Sequence, residues 1–222
     1  MSQSLSQEVY DRIRADIIFG RLLPSHRLRL EDLRGVYGAS VPTLREVLNR
    51  LAGDGFVIAE GQRGFAVAPV SVANLHELAN LRQLVEMDAL EKSFEAGDMA
   101  WEERVVAAHH KLARIEGRDP AADAVLRDQW KRFDWGFHQA LISACGSREL
   151  MAVHAMVFDK YLRYQMLFLT YRGAVSALEH RQLMEAALAR DIDVAKDILA
   201  RHIAGGVEHA LAAQLGQGAA AG

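Results

Sequence analysis

The sequence predicts a mainly α fold in two parts, first three helices with a small β-hairpin and then an antiparallel bundle of about six helices. Apolar residues recur every three or four positions through most of the chain, which is typical of amphipathic helices. Two short runs rich in β-formers, 56–59 and 65–68, flank a glycine-bounded loop and indicate the hairpin. No convincing strand pattern follows residue 72, so the remainder is expected to be helical.

Composition narrows the class of protein. Of 222 residues, 50% are hydrophobic and 25% charged, which is ordinary for a globular chain of one or two domains. The net charge is −3, so the chain has no overall positive charge that would indicate nucleic-acid binding. Cys145 is the only cysteine, no apolar run is long enough for a membrane span, and the N-terminus lacks a signal pattern. We therefore expect a cytoplasmic protein with no membrane partner.

The first three elements are helices with recognisable ends. The first has apolar residues at four-residue spacing from Leu5 to Ile17 and ends at Gly20. A short second helix is expected over 30–37. Ser40 is a suitable N-cap for a third helix that precedes the hairpin.

The loop of the hairpin is residues 60–64, bounded by glycine. Three helices followed by a hairpin, with a short turn between the second and third helices, is the layout of a winged helix-turn-helix. The sequence therefore predicts a winged helix-turn-helix, DNA-binding domain over 1–70, with the boundary at 69–71.

Turn residues divide 71–215 into about six helices. The breaks fall at 97–98, 117–120, 146–147, 173 and 190–193. The central helix is expected from about 121 to 145 and the next from about 148 to 171. The Gly/Ala-rich segment 216–222 is expected to be a flexible tail.

Asp134 and His138 stand one helical turn apart in the central helix, on the same face. A carboxylate and an imidazole at this spacing can bind one cation together. His180 and His202, in later helical segments, could complete such a site. Taken singly, a histidine on an apolar helix face is more often a hydrogen-bonded core residue than a metal ligand.

These features resemble the GntR family of transcriptional regulators, in particular its FadR subfamily, which joins a winged helix to an all-helical FCD-type ligand-binding domain. The N-terminal motifs are Pro24, Ser40, Leu44-Arg45-Glu46-Val47-Leu48, Leu51-Ala52-Gly53-Asp54-Gly55 and the wing glycines Gly61 and Gly64. The later motifs are Leu81-Arg82-x-x-Val85-Glu86, Phe133-Asp134-x-x-Phe137-His138, Glu179-His180 and Arg201-His202-Ile203. Together they cover nearly the whole chain, in one order and at fitting spacing.

The resemblance implies contacts with double-stranded operator DNA. The residues that it assigns to DNA are Ser40, Thr43, Arg45, Arg50, Arg63 and Gly64. Arginine suits this role because its planar fork can bond guanine in two places or hold a phosphate. Val41 stands where the family usually has Arg or Lys, which removes one expected contact. The alternative for Arg45 is an ion pair with a neighbouring acid on a solvated helix face.

The resemblance also implies a divalent metal bound by Asp134, His138, His180 and His202. Three imidazoles and a carboxylate suit Zn²⁺, the preferred choice, with Ni²⁺ or Mn²⁺ as alternatives. Related domains direct an arginine at the position of Arg82 towards the carboxylate of a small effector, and Arg163 and Tyr164 could line the same cavity. The alternative for Arg82 is an ion pair with Glu86, one turn away.

The predicted function is a metabolite-responsive transcriptional regulator, most often a repressor in this family, that acts as a homodimer. A metal-dependent enzyme, a pure metal sensor and a purely structural ion stay open as alternatives. The enzyme is disfavoured because we find no His-Glu-x-x-His helix, glycine-rich phosphate loop or nucleophile elbow. No catalytic residue is predicted.

Overall fold

The structure is a computed structural model that describes residues 4–118, 123–168 and 171–220. The chain divides after Ser71 into two compact units. The predicted helix break at Asp119-Pro120 and the last two residues of the predicted tail lie outside the described ranges. Within those ranges, no helix combines the length and the apolar character needed to cross a membrane.

The first unit contains three helices and a small antiparallel sheet. Its elements are α1 Leu5–Ile18, β1 Arg27–Leu28, α2 Leu30–Tyr37, α3 Val41–Gly53, β2 Val57–Ala59 and β3 Phe65–Val67. This confirms the predicted winged helix-turn-helix. Helix α1 packs on α3, and the side chains with no exposed surface in these two helices include Val9, Ile13, Ile17, Leu44 and Leu48. Burying each such aliphatic side chain stabilises the unit by about 1.5–3 kcal/mol.

The sheet has three strands where the sequence predicted a two-stranded hairpin. Strand β3 lies in the middle, and Ala66 pairs with Arg27 of β1 on one side and with Ile58 of β2 on the other. A strand of two residues is too short to show a period-2 pattern. Its existence depends on a pairing between distant residues.

The second unit is the predicted bundle of helices. Its elements are α4 Val72–Ala96, α5 Met99–Glu116, α6 Ala124–Ile142, α7 Arg148–Leu167, α8 Ala174–Ala189 and α9 Ile192–Ala220. Helix α4 packs against α6, α7 and α9, while α5 packs against α6 and α8.

Several predicted boundaries in this bundle were wrong. Helix α6 begins later than predicted because Asp123 caps it, its side chain accepting from the amide of Val125 at 3.0 Å. Helix α7 ends at Leu167, four residues early. Helix α9 begins at Ile192 and continues to Ala220, through most of the predicted tail. Glycine costs only about 1 kcal/mol in a helix interior, so the two glycines at 216 and 218 do not end it.

Charged and polar side chains are buried at the centre of this second unit. Those with 5% exposure or less include Arg82, Glu86, Lys131, Asp134, His138, His154, His180 and His202. Burying a charge is costly unless it is paired or binds a cation. The interior of the bundle is therefore a polar site as well as a core.

Candidate metal centre and DNA-binding face

Four side chains from three helices meet in the interior of the second unit. Asp134 and His138 lie one turn apart on α6, His180 lies on α8, and His202 lies on α9. Their ligand atoms all lie within 4.8 Å of one another, and each residue is at most 5% exposed. Imidazole nitrogens and carboxylate oxygens bind divalent ions at about 2.0–2.2 Å, so two ligands of one ion are at most about 4.4 Å apart, and side-chain shifts of a few tenths of an ångström would let all four share one ion. The structure thus brings the four predicted ligands together.

Each of the three imidazoles has its own carboxylate partner on Nδ1. His180 donates to Glu116 at 2.8 Å, and His202 donates to Glu179 at 2.9 Å. His138 donates through Nδ1 to Glu86. Such partners fix the tautomer and the ring orientation of metal-binding histidines and make the other nitrogen a better ligand. In each ring, when it is neutral, the lone pair then resides on Nε2.

His180 provides the observation that tests whether a metal fits. Its Nε2 is buried and lies 3.2 Å from Asp134 Oδ1, yet makes no hydrogen bond. A buried polar atom without a partner requires an explanation, and a cation shared with the carboxylate supplies one. The residues present therefore fit a divalent ion, with Zn²⁺, Ni²⁺ and Mn²⁺ all compatible with this donor set.

The three histidines differ in their affinity for a proton. Burial lowers the pKa of His202 to about 3, against the opposing effect of Glu179, and burial also lowers the pKa of His138. Burial has the same tendency at His180, but Asp134 and Glu116 outweigh it and raise the pKa of His180 to about 9. At neutral pH two rings are ready to bind a metal, and at the third a metal must displace a proton.

Lys131 holds the carboxylate of Asp134 in place. Its ammonium donates to Gln165 Oε1 at 2.8 Å and lies 3.5 Å from Asp134 Oδ2, so that Oδ1 is left facing His180. Desolvation lowers the pKa of this buried lysine to about 8. It places a cation directly beside the candidate ligands.

Arg82 lies at the edge of the cluster. Its Nε donates to Glu86 at 2.8 Å, which is the ion pair that the sequence left as an alternative. At the same time its Nη2 lies 3.2 and 3.3 Å from the two ring nitrogens of His138. The guanidinium stacks on Phe158 and Tyr161, with its central carbon 4.4 and 5.0 Å from the ring centroids. The structure therefore shows both the ion pair and the predicted position in the site.

Helix α7 carries the other two residues that were predicted to line the effector cavity, Arg163 and Tyr164. The Tyr164 hydroxyl donates to Asn74 at the start of α4, 2.8 Å away. Phe158 and Tyr161 of α7 face Arg82, and Arg163 stands two positions after Tyr161, about 200° around the helix. Burial lowers the pKa of Arg163. Gln165, four positions after Tyr161, lies on the same face and accepts from Lys131, while the roles predicted for Arg163 and Tyr164 stay predictions.

The first unit contains the residues that were predicted to contact DNA. Ser40 caps α3, its Oγ accepting from the amide of Thr43 at 3.4 Å and lying 2.9 Å from the Thr43 hydroxyl. Val41 is the first residue of α3, beside both of them. The start of the helix that would enter a DNA groove therefore presents short polar groups and one aliphatic side chain.

The predicted arginines of this unit are exposed. In the described part of the chain Arg45 makes no ion pair, so its alternative as a solvated salt bridge is not observed. Arg50 stacks over the ring of Tyr10 at 3.9 Å. In the wing, Gly64 has φ +90°, a conformation that suits glycine, and the carbonyl of Arg63 accepts from Arg27 at 2.9 Å. The backbone at the tip of the wing is thus fixed while the Arg63 side chain faces solvent.

Comparison with known proteins gives the family. Residues 5–67 match the bacterial regulatory proteins of the gntR family, and residues 77–205 match the FCD domain. The HTH-type transcriptional regulator BphR of Paraburkholderia xenovorans is 36% identical over 203 residues, which cover 90% of this chain and 83% of that protein. This chain belongs to the GntR family of bacterial transcriptional regulators. The HTH-type transcriptional repressor GlaR of Escherichia coli is 30% identical, over 89% of this GntR regulator and 92% of GlaR.

Solved structures of GntR regulators share the fold. McbR/YncC of E. coli superposes with a TM-score of 0.77 at 19% identity, over 95% of this chain and 98% of that one. A GntR transcriptional regulator from Rhodococcus sp. RHA1 gives 0.78 at 21% identity, over 95% and 99%. The matched families and relatives are transcriptional regulators, so this GntR protein is a regulator and not an enzyme. The metal-dependent enzyme is thereby excluded.

Several buried side chains around the candidate metal ligands were missed from the sequence. Glu86 was expected only as an ion-pair partner of Arg82, Glu179 lay inside a quoted motif without an assigned role, and Glu116 and Lys131 had no signal at all. His154 is likewise absent from the predicted site; it is fully buried and its Nε2 lies 3.2 Å from Glu86. These residues are brought to the site by different helices, which spacing along the chain does not reveal.

Proposed function

We propose that this GntR regulator is a repressor whose FCD domain binds a small carboxylate effector at a divalent metal, and that effector binding lowers its affinity for operator DNA. The observation that carries the proposal is the buried convergence of Asp134, His138, His180 and His202 beside Arg82. Zn²⁺ is the preferred ion, with Ni²⁺ and Mn²⁺ as alternatives.

The residues around the ion define the effector as an anion. A bound divalent ion would supply a positive charge and coordination positions beyond the four protein ligands. Arg82 adds a fixed guanidinium beside His138, held in orientation by Glu86 and by its stacking on two aromatic rings. A carboxylate bound at the ion would also meet this guanidinium, and Arg pairs with carboxylates through two parallel hydrogen bonds.

The winged helix supplies the DNA contacts. Ser40, Thr43 and Arg45 stand at the start of α3, the part of a recognition helix that contacts base edges. The remaining contacts, from Arg50 and from Arg63 and Gly64 of the wing, go to the sugar-phosphate backbone or the minor groove. With Val41 in place of a basic residue, an apolar contact to a thymine methyl replaces a phosphate or guanine contact.

Operator recognition requires a homodimer, because one winged helix with few basic residues reads too short a site. Helices α4 and α7 pack on each other, and each exposes an apolar pair that supports association. The residues and their exposures are Leu81 41%, Leu84 70%, Val153 40% and Met156 40%. Two half-sites about one helical turn apart, roughly 34 Å, would then be bound together. The relative GlaR is named as a repressor, which supports repression over activation for this protein.

DNA binding is tested by fluorescence anisotropy with the operator selected by the protein from random duplexes. Arg45→Ala is expected to weaken binding by about 1–3 kcal/mol if the side chain bonds a base edge. Arg45→Lys is the matched control, since it keeps the charge and loses the planar fork. Full affinity in Arg45→Ala would remove this residue from the interface, and full affinity in Arg45→Lys alone would make it a phosphate contact.

The effector is tested by a thermal-shift screen against small carboxylates, with and without a chelator. A ligand at about 100 times its dissociation constant should stabilise the protein by about 2.7 kcal/mol. We expect the stabilisation to disappear with the chelator and in His180→Ala. We also expect the stabilising carboxylate to weaken binding of operator DNA by a coupling free energy of about 1–3 kcal/mol. A hit that survives both treatments would refute binding at the metal.

The second candidate function is a metal sensor, or a regulator with a structural ion. It is favoured by the burial of all four ligands, none more than 5% exposed. In the sensor, DNA affinity follows the metal concentration with no carboxylate added. With a structural ion, the chelator lowers the melting temperature and no carboxylate raises it.

A further inference from the structure

A basic cleft lies on the second unit, apart from the metal cluster. It is formed between α5 and α6 and encloses about 540 Å³, within the usual range for small-molecule sites. Its lining residues include Lys111, Arg114, Arg118, Arg132, His110 and Phe133. No acidic side chain among the described residues lines it.

The four cations of this cleft have no counter-ion in the described part of the chain. Lys111 and Arg114 are three positions apart on α5, so they share one face of the helix and their Cβ atoms lie about 5–6 Å apart, and Arg118 lies in the turn that follows the end of α5 at Glu116. Arg132 faces them from α6. None of the four makes an ion pair within the described ranges, whereas other surface cations of this unit do, such as Lys92 with Asp88 at 2.5 Å and Lys196 with Glu91 at 2.7 Å.

Like charges at this spacing repel one another, because they stand well inside the Debye length of about 10 Å at 0.1 M salt. This concentration of positive charge is confined to the cleft. Residues 71–222 carry 17 basic and 21 acidic side chains, so the unit as a whole is acidic. A bound polyanion removes the repulsion, and arginine forks suit phosphate oxygens in particular. Phe133, half-buried in the cleft, and the buried Ile115 add an apolar surface beside the charges.

We propose that this cleft is a second ligand site, for a small soluble molecule that carries two or more phosphate groups. A concave site of this volume favours a small ligand over the extended backbone of DNA, which needs a long open surface. Arg114 and Arg132 bind phosphate oxygens from the two walls, Lys111 and Arg118 add charge, and Phe133 contacts the apolar part of the molecule. The site is independent of the carboxylate effector and of the metal.

The test is calorimetric titration of the full chain with inorganic triphosphate at about 0.1 M salt. We expect saturable binding with one site per chain, an affinity that falls as salt rises, and a loss of about tenfold in Arg114→Ala and in Arg132→Ala. Arg104→Ala, an exposed arginine on the same helix that is outside the cleft, is the matched control and should bind as the wild type does.

Two further titrations distinguish the cleft from the metal cluster and from a DNA-binding surface. Triphosphate also binds divalent ions, so the titration is repeated in His180→Ala, where unchanged binding is expected and lost binding would place the anion at the metal cluster. The cleft variants are also titrated with a non-operator DNA duplex. Weaker DNA binding in Arg114→Ala, with no saturable triphosphate binding, would make the cleft a DNA surface and overturn the proposal. Equal loss in Arg104→Ala would overturn it as well.

Discussion

The proton on His180 gives the sharpest prediction about the candidate metal centre. The pKa of His180 is raised to about 9 because Asp134 and Glu116 outweigh the effect of burial, while burial holds His138 and His202 neutral at pH 7. A metal ligand must be deprotonated. Metal binding at pH 7 should therefore release about one proton, and it should come from His180.

The size of the expected effect on metal affinity follows from the pKa of His180. Two pH units below it, about 1% of His180 is deprotonated, which lowers the apparent metal affinity about 100-fold, or about 2.7 kcal/mol at 1.36 kcal/mol per unit. Affinity should then rise about tenfold for each pH unit between 7 and 9. In the metal-free protein, this raised pKa contributes folding stability that is fully present below pH 6.5 and is lost as the pH rises through about 9.

The assay is Zn²⁺ competition against a chromophoric chelator at several pH values, together with calorimetry in buffers of different ionisation enthalpy, which counts the protons. In Glu116→Gln the pKa of His180 should fall, so fewer protons should be released at pH 8. Glu91→Gln, which removes only the exposed partner of Lys196, is the control. A flat affinity with no proton release at pH 7 would refute the assignment of His180. Release of two or more protons at pH 7 would refute the expectation that His138 and His202 are neutral at that pH.

Three further changes have expected outcomes. Glu179→Gln removes the charge that orients His202 and should weaken Zn²⁺ binding about 10- to 100-fold in the same competition assay; an unchanged constant would mean that this carboxylate only pairs with Arg172. Gly64→Ala meets no clash but forces a side chain to φ +90°, so unfolding by urea should show a loss of about 1–3 kcal/mol, and an unaltered midpoint would contradict the strain. Ser40→Ala removes the cap of α3 and should cost about 0.5–2 kcal/mol in the same unfolding experiment, whereas Ser40→Gly should cost less.

Local patterns in the sequence were enough for the elements and for part of the site. Ser40 marked the start of α3 because a cap needs only the residues that follow it, and the four-residue spacing of Asp134 and His138 put both on one face of α6. Errors came where local signals are weak. The strand at Arg27–Leu28 is too short for a pattern, and glycine at 216 and 218 is an unreliable stop inside a sequence rich in alanine.

The choice between alternatives depended on contacts between distant residues. For Arg82 the sequence offered an ion pair or a place in the site, and only the packing of α4 against α6 and α7 shows that one side chain does both. On α7 the rotation of the helix, set by its neighbours, turned Phe158 and Tyr161 towards Arg82.

The sequence by itself determined the architecture, and its motifs carried the resemblance from which the family and the four candidate ligands were inferred, because periodicity, caps and short motifs are properties of neighbouring residues. Tertiary structure decided the protonation of those side chains. Glu86, Glu116 and Glu179 reach the three imidazoles from α4, α5 and α8, and together with burial they set which ring holds a proton. A pKa depends on the charges and solvent within a few ångströms, and those are arranged by folding.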